Sequence, residues 1–114
     1  MIKLIIAFKR RQGMSVEAFR NHCRDVHTPL LLSIPEAGKI KRFVVSCPLP
    51  EATEAEPAYD AIVEVCFDDQ NAMDTMMASE NFRDRVDPDH QNFIDFSTVV
   101  RLVTEEVVCV PQQE

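Results

Sequence analysis

The sequence predicts a single α+β domain of ferredoxin-like type, β-α-β-β-α-β in element order, with an antiparallel sheet that carries its helices on one face. Three observations lead there. Four strand-like runs recur along the chain. Helical stretches follow the first run and the third. Two of the runs are apolar on both faces at their centres, so helices on one side leave the other side uncovered. A second copy of the chain is the expected cover.

The elements follow in order. Ile2 to Lys9 reads as a strand with Ile2, Leu4, Ile6 and Phe8 on one face. Gly13 breaks it. Ser15 is the expected N-cap of a helix running to about Leu32, with Glu17 favoured in its first turn. Met14 and Phe19 suit a hydrophobic staple. Phe19, Cys23, Val26 and Leu30 form the expected buried stripe. Pro29 lacks the N–H that would bond the Asp25 carbonyl, so a kink or a tightened end is expected there.

Lys39 to Cys47 reads as the second strand. Residues 48–58 form a loop with three prolines and three glutamates. Tyr59 to Phe67 is the third strand. Its wholly apolar or aromatic face, Tyr59 to Phe67 by twos, belongs to the helices; Asp60 and Glu64 then face the partner, with Arg101 as a mate for Glu64. Asp68 or Asp69 caps a second helix whose apolar face is Met73, Met76 and Met77. Ser79 restarts a short helical turn, and Asp87-Pro88 reads as an N-cap and first residue of another. Thr98 to Val108 is the fourth strand, with Val100 and Leu102 on one face and Val99, Val103 and Val107 on the other. The domain is expected to span 1–110, followed by a polar tail at 111–114.

Composition narrows the function classes. Net charge is −7, and phosphate backbones recruit clustered cations, so nucleic acid is not an expected partner. The short basic clusters Lys9-Arg10-Arg11 and Lys39-Lys41-Arg42 read as solvated strand ends. The five apolar residues from Leu4 to Phe8 are too few for a signal core or a membrane span. A cytoplasmic location with reduced thiols is expected, and Cys23, Cys47, Cys66 and Cys109 read as buried structural cysteines. Cys23 and His27 lie one helical turn apart, but zinc needs three or four ligands, so no metal is expected. With two glycines and no glycine-rich motif, a phosphate-cradling loop is excluded.

The run MIKLIIAFKRRQGMSVEAFRNHCRDVHTPL, through its M-I-K-L strand, S-x-E-x-F-R and V-H-T-P, resembles the opening of EthD-like proteins of the dimeric α/β-barrel superfamily. YDAIVEVCFDD, with Asp60, Glu64 and Phe67, and the closing DHQNFIDFS fit the same pattern. The resemblance implies protomers whose sheets pack together to close a barrel, and a small apolar pocket between sheet and helices. It implies chemistry by His, Tyr or Asp side chains without a metal. Relatives include lactone isomerases, polyketide cyclases, decarboxylases and dehydratases of aromatic polyketides, cofactor-free oxygenases, and degradation-pathway proteins without an established reaction. His27 matches the histidine of the family's V-H-x-P segment. Asp87-Pro88-Asp89-His90 is similar to its H-P-x-H-x-x-F segment, with His90 at the functional histidine and Phe93 at the aromatic. Two departures stand out: Asp87 replaces the first histidine, and Cys23 stands where a bulky aromatic is common, which enlarges the pocket.

The expected function is therefore a cofactor-independent enzyme acting on a small apolar carbonyl, lactone or polyketide-like compound by proton transfer. His27 is the expected general base or acid. His90 is a second proton carrier or oxygen-orienting donor; a helix N-terminus favours its neutral form, and Asp87 and Asp89 push the other way. Tyr59, the single tyrosine, is a candidate donor to a carbonyl oxygen. His22 lies roughly 140° from His27 on an α-helix and reads as solvated. The alternatives are a non-catalytic binder serving an oxygenase pathway and a cofactor-free oxygenase.

Overall fold

A computed structural model describes residues 1–49, 56–108 and 110–112. Four strands form one antiparallel sheet: β1 (Ile2–Arg10), β2 (Arg42–Ser46), β3 (Ala61–Phe67) and β4 (Ile94–Glu105), in the order β2-β3-β1-β4. Helices α1 (Val16–His22), α2 (Thr28–Leu32) and α3 (Gln70–Met77) pack on one face. This is the expected ferredoxin-like arrangement.

Alternation places the core. Leu4 pairs with Val65 and Val103, and Ile6 with Val63 and Arg101. Leu4, Phe8, Ala61, Val65 and Phe67 are buried beneath the helices. One core cluster joins Leu4, Val65 and Phe67 to Leu31, Met73, Met76, Phe82 and Val86. The other joins Phe8 and Ala61 to Phe19, Cys23, Phe93 and Ile94. Burying each large side chain contributes about 1.5–3 kcal/mol. The opposite face carries no helix: Ile62, Val100 and Leu102 are exposed there at 42%, 48% and 57%.

Local chemistry fixes the helix starts. Gly13, at φ 84°, turns the chain out of β1. Ser15 caps α1 by accepting from the Ala18 N–H at 3.0 Å. Asp69 caps α3 by accepting from the Ala72 N–H at 2.8 Å.

Several expectations are corrected. The first helix is not continuous: a π-helical turn, Cys23–His27, separates α1 from α2. The Thr28 N–H bonds the Cys23 carbonyl, five residues back. That added residue moves the buried stripe on by one, so Leu31 is buried and Val26 is exposed. The second strand starts later because Pro35–Lys39 closes a 3-10 turn, and β4 starts earlier, at Ile94. Asp87 is not a side-chain cap; it lies at the start of a 3-10 segment, Asp87–Asn92, which follows a second π turn at Phe82–Val86. Asp60 does not face a partner: it is buried and accepts from the Arg10 N–H at 2.7 Å and from Arg10 Nη1 at 2.8 Å. Arg10 is accordingly an anchor, not a solvated strand end. Glu64 pairs with Lys3 at 3.3 Å, while Arg101, on the helix side, reaches the Met77 sulfur. Cys23 and Cys66 are buried and Cys47 is half-buried; Cys109 and residues 50–55 of the loop lie outside the described residues.

Candidate active site

The π turn builds the site. Residues five apart stack when backbone bonds run from i to i+5, so His22 and His27 come to the same side of the helical run. Both imidazoles meet one carboxylate, Asp89, from the 3-10 segment. His22 Nε2 lies 3.0 and 2.9 Å from the two Asp89 oxygens, and His27 Nδ1 lies 2.9 Å from Oδ2. Asn92 Nδ2 donates to Oδ1 at 3.0 Å. Phe93, fully buried, lies against both imidazoles at ring-centre distances of 4.8 Å. His90 sits 4.6 Å from His27, ring to ring, and its Nδ1 contacts Asp87 at 2.9 Å.

His27 and His90 line a cavity of about 110 Å³ between the sheet and the helices. Its walls are otherwise almost wholly apolar. Leu4, Ile6, Val63 and Val65 rise from the sheet, and Leu31, Met76 and Phe82 close it from the helical layer. The two histidines and Thr28 are its main polar features.

The electrostatics set the protonation states. Burial pushes the His27 imidazole below the ordinary histidine range; the Asp89 contact opposes this without overcoming it, and the neighbouring His90 adds to the fall. Burial by itself raises the Asp89 carboxyl, but bonds from Asn92, His22 and His27 reverse that and hold it below the ordinary aspartate range. Asp89 is thus a carboxylate that only accepts, and a neutral His27 must carry its proton on Nδ1. That leaves the lone pair on Nε2, which has no hydrogen-bond partner among the described residues. Burial, with Cys47 and Asp89 nearby, pushes the Cys23 thiol up to about 12, so it stays protonated.

Of the residues singled out from the sequence, His27 and His90 come together at the cavity. Tyr59 does not join them: it is half-buried ahead of β3 and outside the cavity lining. His22 is not solvated, because the 140° offset assumed an unbroken α-helix. The burial of Asp89 and its bonds to His22 and His27 were not read from the sequence, nor was Asn92; nothing in D-P-D-H-Q-N marks one acid as buried. Among the described residues no group of three His, Cys, Asp or Glu side chains is arranged to hold a metal ion. No described helix is long and apolar enough to cross a membrane.

Comparison with known proteins adds identity to this geometry. A dehydratase of Ustilaginoidea virens, UstZ, is 29% identical over 101 residues, covering 75% of this chain and 69% of its own. The conidial pigment biosynthesis dehydratase EthD of Metarhizium robertsii is 31% identical over 109 residues, covering 85% and 76%. A dimeric protein of unknown function with a ferredoxin-like fold, from Bacteroides fragilis, superposes with a TM-score of 0.64 at 15% identity, over 92% of this chain and 95% of its own. The family model of the EthD domain matches residues 11–97, and the chain belongs to the EthD family.

Proposed function

We propose that this protein is a dehydratase that acts without a cofactor on a small, mostly apolar carbonyl compound, with His27 and His90 as its proton carriers. One observation carries the reading: a neutral imidazole, tied through Nδ1 to a buried carboxylate, leaves Nε2 for a ligand at the polar end of an apolar cavity. The relatives named dehydratases support the reaction class.

The steps balance with these residues alone. On a β-hydroxy carbonyl compound, His27 Nε2 takes the proton from the carbon between the carbonyl and the carbinol. The C–H electron pair passes into the carbonyl as an enolate. His27 passes that proton to His90 across the short ring-to-ring gap. The enolate then expels the hydroxyl, which leaves as water with the proton from His90, and a conjugated double bond remains with both imidazoles neutral again. Isomerisation or decarboxylation would draw on the same two carriers.

The test is turnover of a β-hydroxy carbonyl polyketide, followed as a product lighter by one water. His27→Gln is expected to lower kcat by about 10²–10⁴-fold, and His90→Gln by a smaller factor. Full activity in both variants sinks the mechanism. Ligand binding without turnover in the wild-type protein favours a non-catalytic binder. We further propose that two copies pair through the helix-free sheet face; its exposed Ile62, Val100 and Leu102 and the dimeric relative support this.

A further inference from the structure

The cavity is not sealed on its own. A groove of about 400 Å³ adjoins it, and Cys23, Thr28, Phe43 and Val45 line both spaces. The groove brings two cations to the cavity's entrance, Arg20 and Arg24. Their states differ. Arg24 is spent: its guanidinium meets Asp25 through two bonds, 2.8 and 3.0 Å, and Asn21 at 3.0 Å. Arg20 is not. Among the described residues it forms no ion pair, and its one hydrogen bond there goes from Nη2 to the Pro48 carbonyl. Among the described residues its Nε is buried without a partner.

An unpaired buried donor costs about 1–3 kcal/mol, more when charged. Arginine cannot shed the charge by losing its proton. The side chain is half-buried on the last turn of α1, two residues from His22, in a chain whose net charge is −7. An acidic protein that keeps one under-used cation beside an apolar cavity has a place for an anion. The guanidinium fork matches a planar group with two oxygens.

We propose that the groove seats a carboxylate of the ligand, held by Arg20, while the ligand's apolar body enters the cavity toward His27. The inference rests on the proposed function only in taking the cavity as the ligand site. It narrows the substrate class from apolar carbonyl compounds to those that also carry a carboxylate. Arg20 is then a specificity residue and takes no part in proton transfer.

Binding, not turnover, tests it. The probes are 4-phenylbutanoate and its uncharged methyl ester, titrated calorimetrically into the full chain. The acid is expected to bind wild-type protein at least about tenfold more tightly than the ester, the scale of a hydrogen bond to a charged group. Arg20→Met is expected to bring the two within about threefold, and Arg24→Met and His27→Gln to keep the preference. The Arg20 Nε–H resonance of the wild-type protein, assigned by its loss in Arg20→Lys, is expected to shift with the acid and not with the ester; this reading stands even if Arg20→Met misfolds. Equal binding of acid and ester, or an acid preference that survives in Arg20→Met, overturns the proposal. Failure of the dehydratase reading shows separately, as a preference present in a protein that turns nothing over. If neither probe binds, the carboxylate proposal falls, while the dehydratase reading stands or falls by turnover of the β-hydroxy carbonyl polyketide.

Discussion

Asp89 accepts from three side chains while nearly buried, and the order of those bonds sets what His27 can do. A carboxylate on Nδ1 fixes the tautomer and turns Nε2 toward the cavity. Asp89→Asn keeps the shape but offers an amide that can donate to Nδ1 and place the proton on the wrong nitrogen. It also removes the negative charge that holds the His27 value up against burial. Asp89→Asn is therefore expected to lower kcat and to move the acid limb of the kcat/KM profile to lower pH. An unchanged profile would show that Asp89 does not act through His27. Stability has the same sign for both residues. The folded His27 titrates below 6.5 and the folded Asp89 below 3.8, so in each case the unfolded chain takes up the proton first as pH falls. Their contribution is complete above about 6.5, declines as pH drops through the histidine range, and declines again below 3.8. Thermal unfolding from pH 8 to pH 3 checks this, and Asp89→Asn is expected to remove the lower step.

The π turn explains both what the sequence made legible in the helical layer and what it hid. Phe19, Cys23, Val26 and Leu30 are spaced four, three and four, the right stripe for an unbroken α-helix. The inward face is Phe19, Cys23 and Leu31, all buried, with the half-buried His27 between them, because one residue has been added. Hydrophobic spacing reveals that a helix exists; it does not reveal a backbone register change inside it. The strands were easier, since a period of two survives small errors in where a strand begins, and the pairings of Leu4 and Glu64 show the expected faces. His27 was legible mainly through the resemblance of its V-H-T-P segment, and in part because it borders the stripe. Asp89 was not, because its burial depends on docking between distant segments. A test follows. Deleting Arg24, an exposed residue of the turn, restores the four-three-four spacing and leaves His22 and His27 four apart, which an ordinary α-turn places on one side. That variant is expected to unfold within a few degrees of wild type, as surface changes usually stay within about 0.5 kcal/mol. Inserting an alanine after Arg24 spaces the histidines six apart. It is expected to turn Leu31 out of the core, with a loss of about 2–3 kcal/mol. Denaturant unfolding of the two variants checks the ordering.

At the scale of the molecule, the sheet divides its labour between two faces. One face carries the helices and the cavity. The other exposes an apolar strip of Ile62, Val100 and Leu102, larger side chains than a solvated surface keeps together by need. Leu102→Lys is expected to leave the protomer folded, since the residue is already 57% exposed, and to shift sedimentation toward the monomer at micromolar concentration. A monomeric wild-type protein under the same conditions refutes the pairing. The carboxylate of Asp89 also has a meaning for the order in which the chain takes shape. Its histidine partners lie 67 and 62 residues away along the chain. Each half of the chain holds only a fragment of the site, His22 and His27 in one and Asp89, His90 and Asn92 in the other. The site comes into being only when the first helical run and the segment before the last strand dock, so its appearance during refolding dates that docking.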